Sequence, residues 1–160
     1  MREPFHIVLV EPEIPQNTGN IARLSAALQC PLHLVGRLGF KTDEKSVRRA
    51  GIDYWDQVQL ERHLDLPHFT QRCDPSRWKL FSSVGRKSYL DAPFQAGDAF
   101  LFGCESRGLP IELLEQYDGQ TYALPTIGEV RSHNLANTVG IVLYEACRQL
   151  GVFDQLERRL

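Results

Sequence analysis

ALPTIGEVRSHNLANTVGIVLYEA, residues 123–146, runs from a short strand through a polar loop into a strongly apolar helix, with the strand broken at Pro125. Arg131, Ser132, Asn134 and Asn137 crowd the start of that helix. A helix start gathers backbone N–H groups without intrahelical partners, which suit an anion or a polar ligand. Ordinary capping by Ser or Asn accounts for the same residues, so this segment alone leaves both readings open.

Two further junctions have the same design. FHIVLVEPEIPQNTGNIARLSAAL, residues 5–28, reads as a strand, a Pro-punctuated loop, a cap cluster at Asn17, Thr18, Gly19 and Asn20, and a helix carrying Arg23 in its first turns. AFLFGCESRGLPIELL, residues 99–114, reads as a strand, a Gly-flanked polar turn and a helix opening at Pro110. Three polar junctions at the ends of buried strands predict one crevice at the carboxyl edge of an open parallel sheet.

The wider pattern agrees. Strands are expected at 5–10, 32–35, 57–60, 78–83, 99–103 and 121–124, and helices at 18–29, 43–50, 66–73, 110–117 and 135–150. This alternation predicts an α/β fold, a mostly parallel sheet with helices on both faces. One domain spanning 1–160 is expected, since 160 residues with 42% apolar content suit a single core. The longest irregular stretch, 84–98, holds Gly85, Pro93 and Gly97 and reads as a flexible loop over the site. The last helix presents apolar residues on most of its faces, with a narrow polar stripe at Glu145, Arg148 and Gln149, and so must be buried in a core or at a subunit contact.

Composition excludes several classes. A net charge of −2 argues against nonspecific coating of nucleic acid, although fourteen of the eighteen basic residues are Arg, whose planar fork suits phosphate and base edges. Arg48/Arg49, Arg86/Lys87 and Arg158/Arg159 are candidate basic patches. The stretch 36–56 is a candidate RNA contact through Arg48, Arg49, Tyr54 and Trp55, or a helix with a core-anchoring Trp. Cys30, Cys73, Cys104 and Cys147 lie far apart without a CxxC pair or a His-rich companion, so neither a zinc site nor a disulfide framework is expected. No signal pattern or long apolar run is present, which predicts a soluble, cytoplasmic protein without a membrane partner. The loop PQNTGN lacks the GxGxxG fingerprint of a dinucleotide site, and GxSxG is absent.

Taken in order, PQNTGNIARL at 15–24, FGCESRGLP at 102–110 and LPTIGEVRSHNLANTVGIVLYEA at 124–146 resemble the motifs of the SPOUT superfamily of RNA methyltransferases, most closely its TrmL (YibK-like) family. The resemblance covers nearly the whole chain. It implies a deep C-terminal trefoil knot, a homodimer, and methyl transfer from S-adenosylmethionine to the ribose 2′-hydroxyl of the tRNA wobble nucleotide, position 34, in leucine isoacceptors. The partner would be the tRNA anticodon stem-loop, and no metal is required.

By position, the resemblance makes Arg23 the candidate for hydroxyl activation, with Asn17 supporting it and Asn134 near the transferred methyl. An exposed Arg23 paired with Glu11 or Glu13 is the structural alternative. Phe81, Gly103, Leu124 and Ser132 match the cofactor contacts, and Arg131, Arg107 and Tyr144 are assigned to RNA, Tyr144 near the dimer seam. Glu105 either orients its loop or caps the helix near 110. Cys104 and His133 depart from the residues common in the family. A noncatalytic RNA-binding dimer, or a 2′-O-methyltransferase acting at another tRNA or rRNA site, is the alternative function.

Overall fold

The computed structural model describes residues 4–42, 45–51, 54–154 and 156. Among these residues seven strands form one sheet: β1 (Phe5–Val10), β2 (Leu32–Val35), β3 (Leu60–His63), β4 (Trp78–Phe81), β5 (Lys87–Ser88), β6 (Asp98–Phe102) and β7 (Thr121–Ala123). Their order is β3-β2-β1-β6-β4-β7-β5, and every pairing is parallel. Among the described residues five helices accompany them: α1 (Pro15–Leu28), α2 (Lys45–Gly51), α3 (Leu66–Phe69), α4 (Ile111–Gln116) and α5 (Leu135–Gln149).

The near-continuous apolar strands follow from burial on both faces. Phe5, Ile7, Leu9, Leu32, Leu34, Phe100 and Phe102 pack with residues of α1 and α5 on one side. Val8, Val10, Leu80, Leu101 and Trp78 pack with Phe69 and the inner side of α4 on the other. The expected two-faced α/β architecture is the one observed.

Several boundaries differ from the sequence expectation, each for a physical reason. Helix α1 begins at Pro15, three residues before the expected start, so the run Asn17 to Asn20 lies inside it. Proline is pre-organised for a first helical position. The strand expected at 57–60 is observed at 60–63, after a 3₁₀ turn at Trp55–Gln57; its sequence LERH is that of a polar edge strand. Helix α3 stops at Phe69 rather than 73, and the residue before Pro75 is biased away from helical geometry. The stretch 84–98 contains β5 and buried Ala92 and Phe94, so it is a packed edge of the sheet rather than a bare loop. Gly85 makes that possible, because a Cβ there would stand 2.7 Å from the Tyr122 carbonyl carbon.

The helix α5 buries Val139, Val142, Leu143, Ala146 and Cys147, but Ile141, Tyr144 and Leu150 are 39%, 51% and 39% exposed. Burial on most faces is therefore not achieved within one chain. Cys30, Cys73, Cys104 and Cys147 are all buried thiols. Among the described residues no helix is long and apolar enough to cross a membrane. Arg158 and Arg159 lie outside the described residues, as do parts of the stretch 36–56.

Candidate active site

The carboxyl ends of β1, β6, β4 and β7 open into a cleft of about 1120 Å³, the place where open parallel sheets gather ligands. Its wall includes Asn17 from α1, Phe81 from the end of β4, Gly103 and Arg107 from the β6–α4 loop, and Leu124, Arg131, Ser132 and Asn134 from the β7–α5 loop. Eight of the ten residues singled out from the sequence thus share one cleft.

Three polar side chains tie the junctions together. The Glu105 carboxylate accepts the backbone N–H groups of Glu13 at 2.8 Å and Ile14 at 3.0 Å, and the Asn17 amide at 3.3 Å. The Asn134 amide donates to Asn17 Oδ1 at 3.1 Å, while Asn134 Oδ1 accepts from the Asn137 N–H and caps α5. Asn17 is only 6% exposed, so both ends of its amide are committed to this bridge. Glu105 therefore serves the chain entering α1 and not the start of α4, where no side-chain cap is formed. A charged acceptor makes these bonds stronger than neutral ones.

The same loop is shaped by its glycine. Gly103 faces the backbone of Gly108 and Leu109 so closely that a Cβ would collide with both. Gly108 adopts φ +70°, and its N–H closes the turn on the Cys104 carbonyl at 2.9 Å. The first requirement for glycine at 103 is thus the loop's own closure, which leaves the adjoining backbone bare toward the cleft.

Charge is organised around Glu13. Its carboxyl is held below the usual range, first by a hydrogen bond from the Cys104 thiol, then by the Ser106 hydroxyl, with Arg107 adding an attractive charge. The Ser106 hydroxyl donates to Glu13 at 2.6 Å. Glu13 thus turns toward Ser106 and Arg107, and the suggested pairing of Glu13 with Arg23 is not the arrangement found.

Arg23 and Tyr144 do not line the cleft. Arg23 is exposed on α1 with its guanidinium carbon 4.9 Å from the centre of the Tyr54 ring, a cation–π geometry. Tyr144 is exposed on α5 and packs against Phe153, ring centres 5.5 Å apart. Trp55 packs against the core, while Arg48 and Arg49 are exposed on α2. Arg86 and Lys87, by contrast, line the cleft, although the Lys87 ammonium donates to the Gly119 carbonyl at 3.1 Å.

The cleft suits a nucleoside-sized methyl donor. Phe81 and Phe102, stacked 5.1 Å apart at 16°, lie beside Leu124 and Leu135, and the residues Ser82, Thr126 and Ser132 add hydroxyl groups. Such a mixture of apolar wall and few polar groups is typical of cofactor sites.

Sequence and structure comparisons agree with this geometry. The model of the SpoU rRNA Methylase family matches residues 4–144. A tRNA (cytidine(34)-2′-O)-methyltransferase from Burkholderia cenocepacia (strain HI2424) is 46% identical over 150 residues, covering 92% of this chain and 96% of the relative. A solved structure concerned with the 2-OH methylation of C/U34 on tRNA superposes with a TM-score of 0.86 at 47% identity, covering 92% of this chain and 97% of the other. An AdoMet-bound rRNA methyltransferase from Sinorhizobium meliloti has a TM-score of 0.82 at 26% identity, covering 94% of this chain and 58% of its own.

Proposed function

This chain belongs to the SpoU rRNA methylase family, and from that premise we propose that it is a tRNA 2′-O-methyltransferase that methylates the ribose of the wobble nucleotide, position 34, using S-adenosylmethionine. The observation that carries the reading is the Glu105–Asn17–Asn134 bridge, which locks three strand-end junctions around one donor-sized cleft. The near full-length match to relatives that act on cytidine 34 of tRNA supports the substrate.

When bound, S-adenosylmethionine supplies a methyl on a positively charged sulfur, which the ribose oxygen displaces in line as its proton leaves. Phe81, Gly103, Leu124 and Ser132 would hold the donor. Asn134, fixed by both Asn17 and the first turn of α5, would stand beside the reacting centre. Arg131 and Arg107 at the rim would hold RNA phosphate.

Arg23 would activate the hydroxyl with the help of a neighbouring phosphate or water, since a guanidinium is by itself a poor base. It would position the ribose or its phosphate while phosphate or water takes the proton. Because Arg23 lies outside the cleft of its own chain, it would act in the cleft of a second subunit, reached when the exposed Ile141 and Tyr144 of α5 pair in a two-fold dimer. The C-terminal knot and a preference for leucine isoacceptors belong to the same proposal.

Labelled methyl transfer from S-adenosylmethionine to unfractionated tRNA, taken from a strain without its own wobble-ribose enzyme, tests this reading. Label mapping to a 2′-O-methyl nucleotide at position 34 is expected. Label elsewhere in tRNA would replace the assigned site, and donor binding with no transfer to tRNA would favour another RNA or a noncatalytic role. Mixed dimers test the sharing of sites: one subunit carrying Arg23→Ala and the other a donor-site defect should retain one working cleft, and none in any combination would refute the shared site.

A further inference from the structure

Away from the cleft, at the other edge of the sheet, three histidines from three adjacent strands meet. His6 of β1 and His33 of β2 place Nδ1 and Nε2 3.0 Å apart, and His33 Nδ1 lies 3.0 Å from His63 Nε2 of β3. Glu61 of β3 adds a carboxylate oxygen, Oε2, 3.5 Å from His33 Nδ1 and 3.7 Å from His63 Nε2. His33 is fully buried, and His63 is 8% exposed.

We propose that His33, His63 and Glu61 form a binding site for a zinc-class divalent cation that clips the edge strand β3 to β2. The three facing atoms lie 3.0, 3.5 and 3.7 Å apart. Ligand atoms at zinc bond lengths in a tetrahedral shell stand roughly 3.3–3.5 Å apart, so only small rotamer adjustments are needed. The strand register explains the convergence. His33 is directly opposite Glu61, and His63 is two residues further along the same strand, on the same face.

The surroundings suit ligation. With the His33 proton on Nε2, facing His6 Nδ1 at 3.0 Å, the Nδ1 lone pair of His33 would be directed at the cation; such outer partners are the rule for metal-binding imidazoles. Arg72 Nε contacts both Glu61 oxygens at 3.2 Å. Its charge opposes a cation, but Oε1 can keep Arg72 while Oε2 faces the imidazoles. The Glu61 side chain is 37% exposed, and on that side water completes the shell. The spacing His33, Glu61, His63 across two strands carries no zinc signature in the sequence.

Titration of the full-length, chelator-stripped protein with Zn²⁺, and separately with Co²⁺, tests the site. One equivalent per chain is expected, with visible Co²⁺ absorption of tetrahedral nitrogen and oxygen ligation and a rise in Tm on adding Zn²⁺. Glu61→Gln and His63→Asn should each weaken binding at least about a hundredfold, more than the loss of an outer partner costs, and abolish the Tm rise. Circular dichroism of the metal-free variants verifies that they fold. Methyl transfer should be the same with and without Zn²⁺. Substoichiometric binding, or binding and a Tm rise that survive both substitutions, would overturn the site and leave a histidine hydrogen-bond chain or adventitious cysteine ligation in its place.

Discussion

Asn17 shows what a single residue does in this molecule. It reads in the sequence as a cap, yet its amide lies inside α1, with Glu105 on one end and Asn134 on the other. The residue type was legible because an amide is needed wherever a donor and an acceptor must be met together. Its partners, 88 and 117 positions away, were not. For Glu105 the sequence leaves two roles open, orienting its own loop or capping the helix near 110, because local capping follows sequence distance; tertiary packing instead brings the carboxylate to the chain entering α1. Replacing Glu105 by Ala leaves the N–H groups of Glu13 and Ile14 and the Asn17 amide without it; denaturant unfolding should show a loss of about 2 kcal/mol. Methyl transfer should fall on the order of a hundredfold, since the cleft junctions lose their register. Unchanged turnover in a folded Glu105→Ala protein would separate the bridge from the chemistry.

At the scale of elements, the strands were the legible part. Strands β1 and β2 occupy the expected residues, because six and four buried residues in a row leave no alternative placement. The edges were less legible. Strands β3 and β5 are short and polar, and only pairing with a neighbour defines them. Between these limits, Asp98 at the start of β6 binds elements together: it is fully buried and takes Arg77 at 2.9 Å, Lys79 at 3.3 Å and the Gln95 N–H at 2.8 Å. Removing one partner of a buried ion pair strands the others. Asp98→Ala should therefore cost about 3–5 kcal/mol in equilibrium unfolding, with no direct effect on the distant cleft. A cost under about 1 kcal/mol would mean that solvent reaches Lys79 and replaces the carboxylate.

For the whole molecule, the consequential feature is the division of the assigned residues. Eight line one cleft, while Arg23 and Tyr144 stand outside it on α1 and α5. The sequence announced the excess apolar surface of α5 but could not say which side the chain itself covers. Ile141 and Tyr144 remain exposed, and in the proposed two-fold dimer a second copy of the same surface would cover them. Ile141→Asp and Tyr144→Asp should convert the proposed dimer to monomers in analytical ultracentrifugation and abolish transfer, while donor binding in the single-chain cleft is reduced less. A fully active monomer would require Arg23 to be dispensable.

The most direct measurement compares two synthetic tRNAs that differ by one oxygen, with ribose or 2′-deoxyribose at position 34, in labelled transfer from S-adenosylmethionine. Transfer to the ribose form and none to the deoxy form is the expected result. Equal labelling of both would contradict methylation of the wobble 2′-hydroxyl.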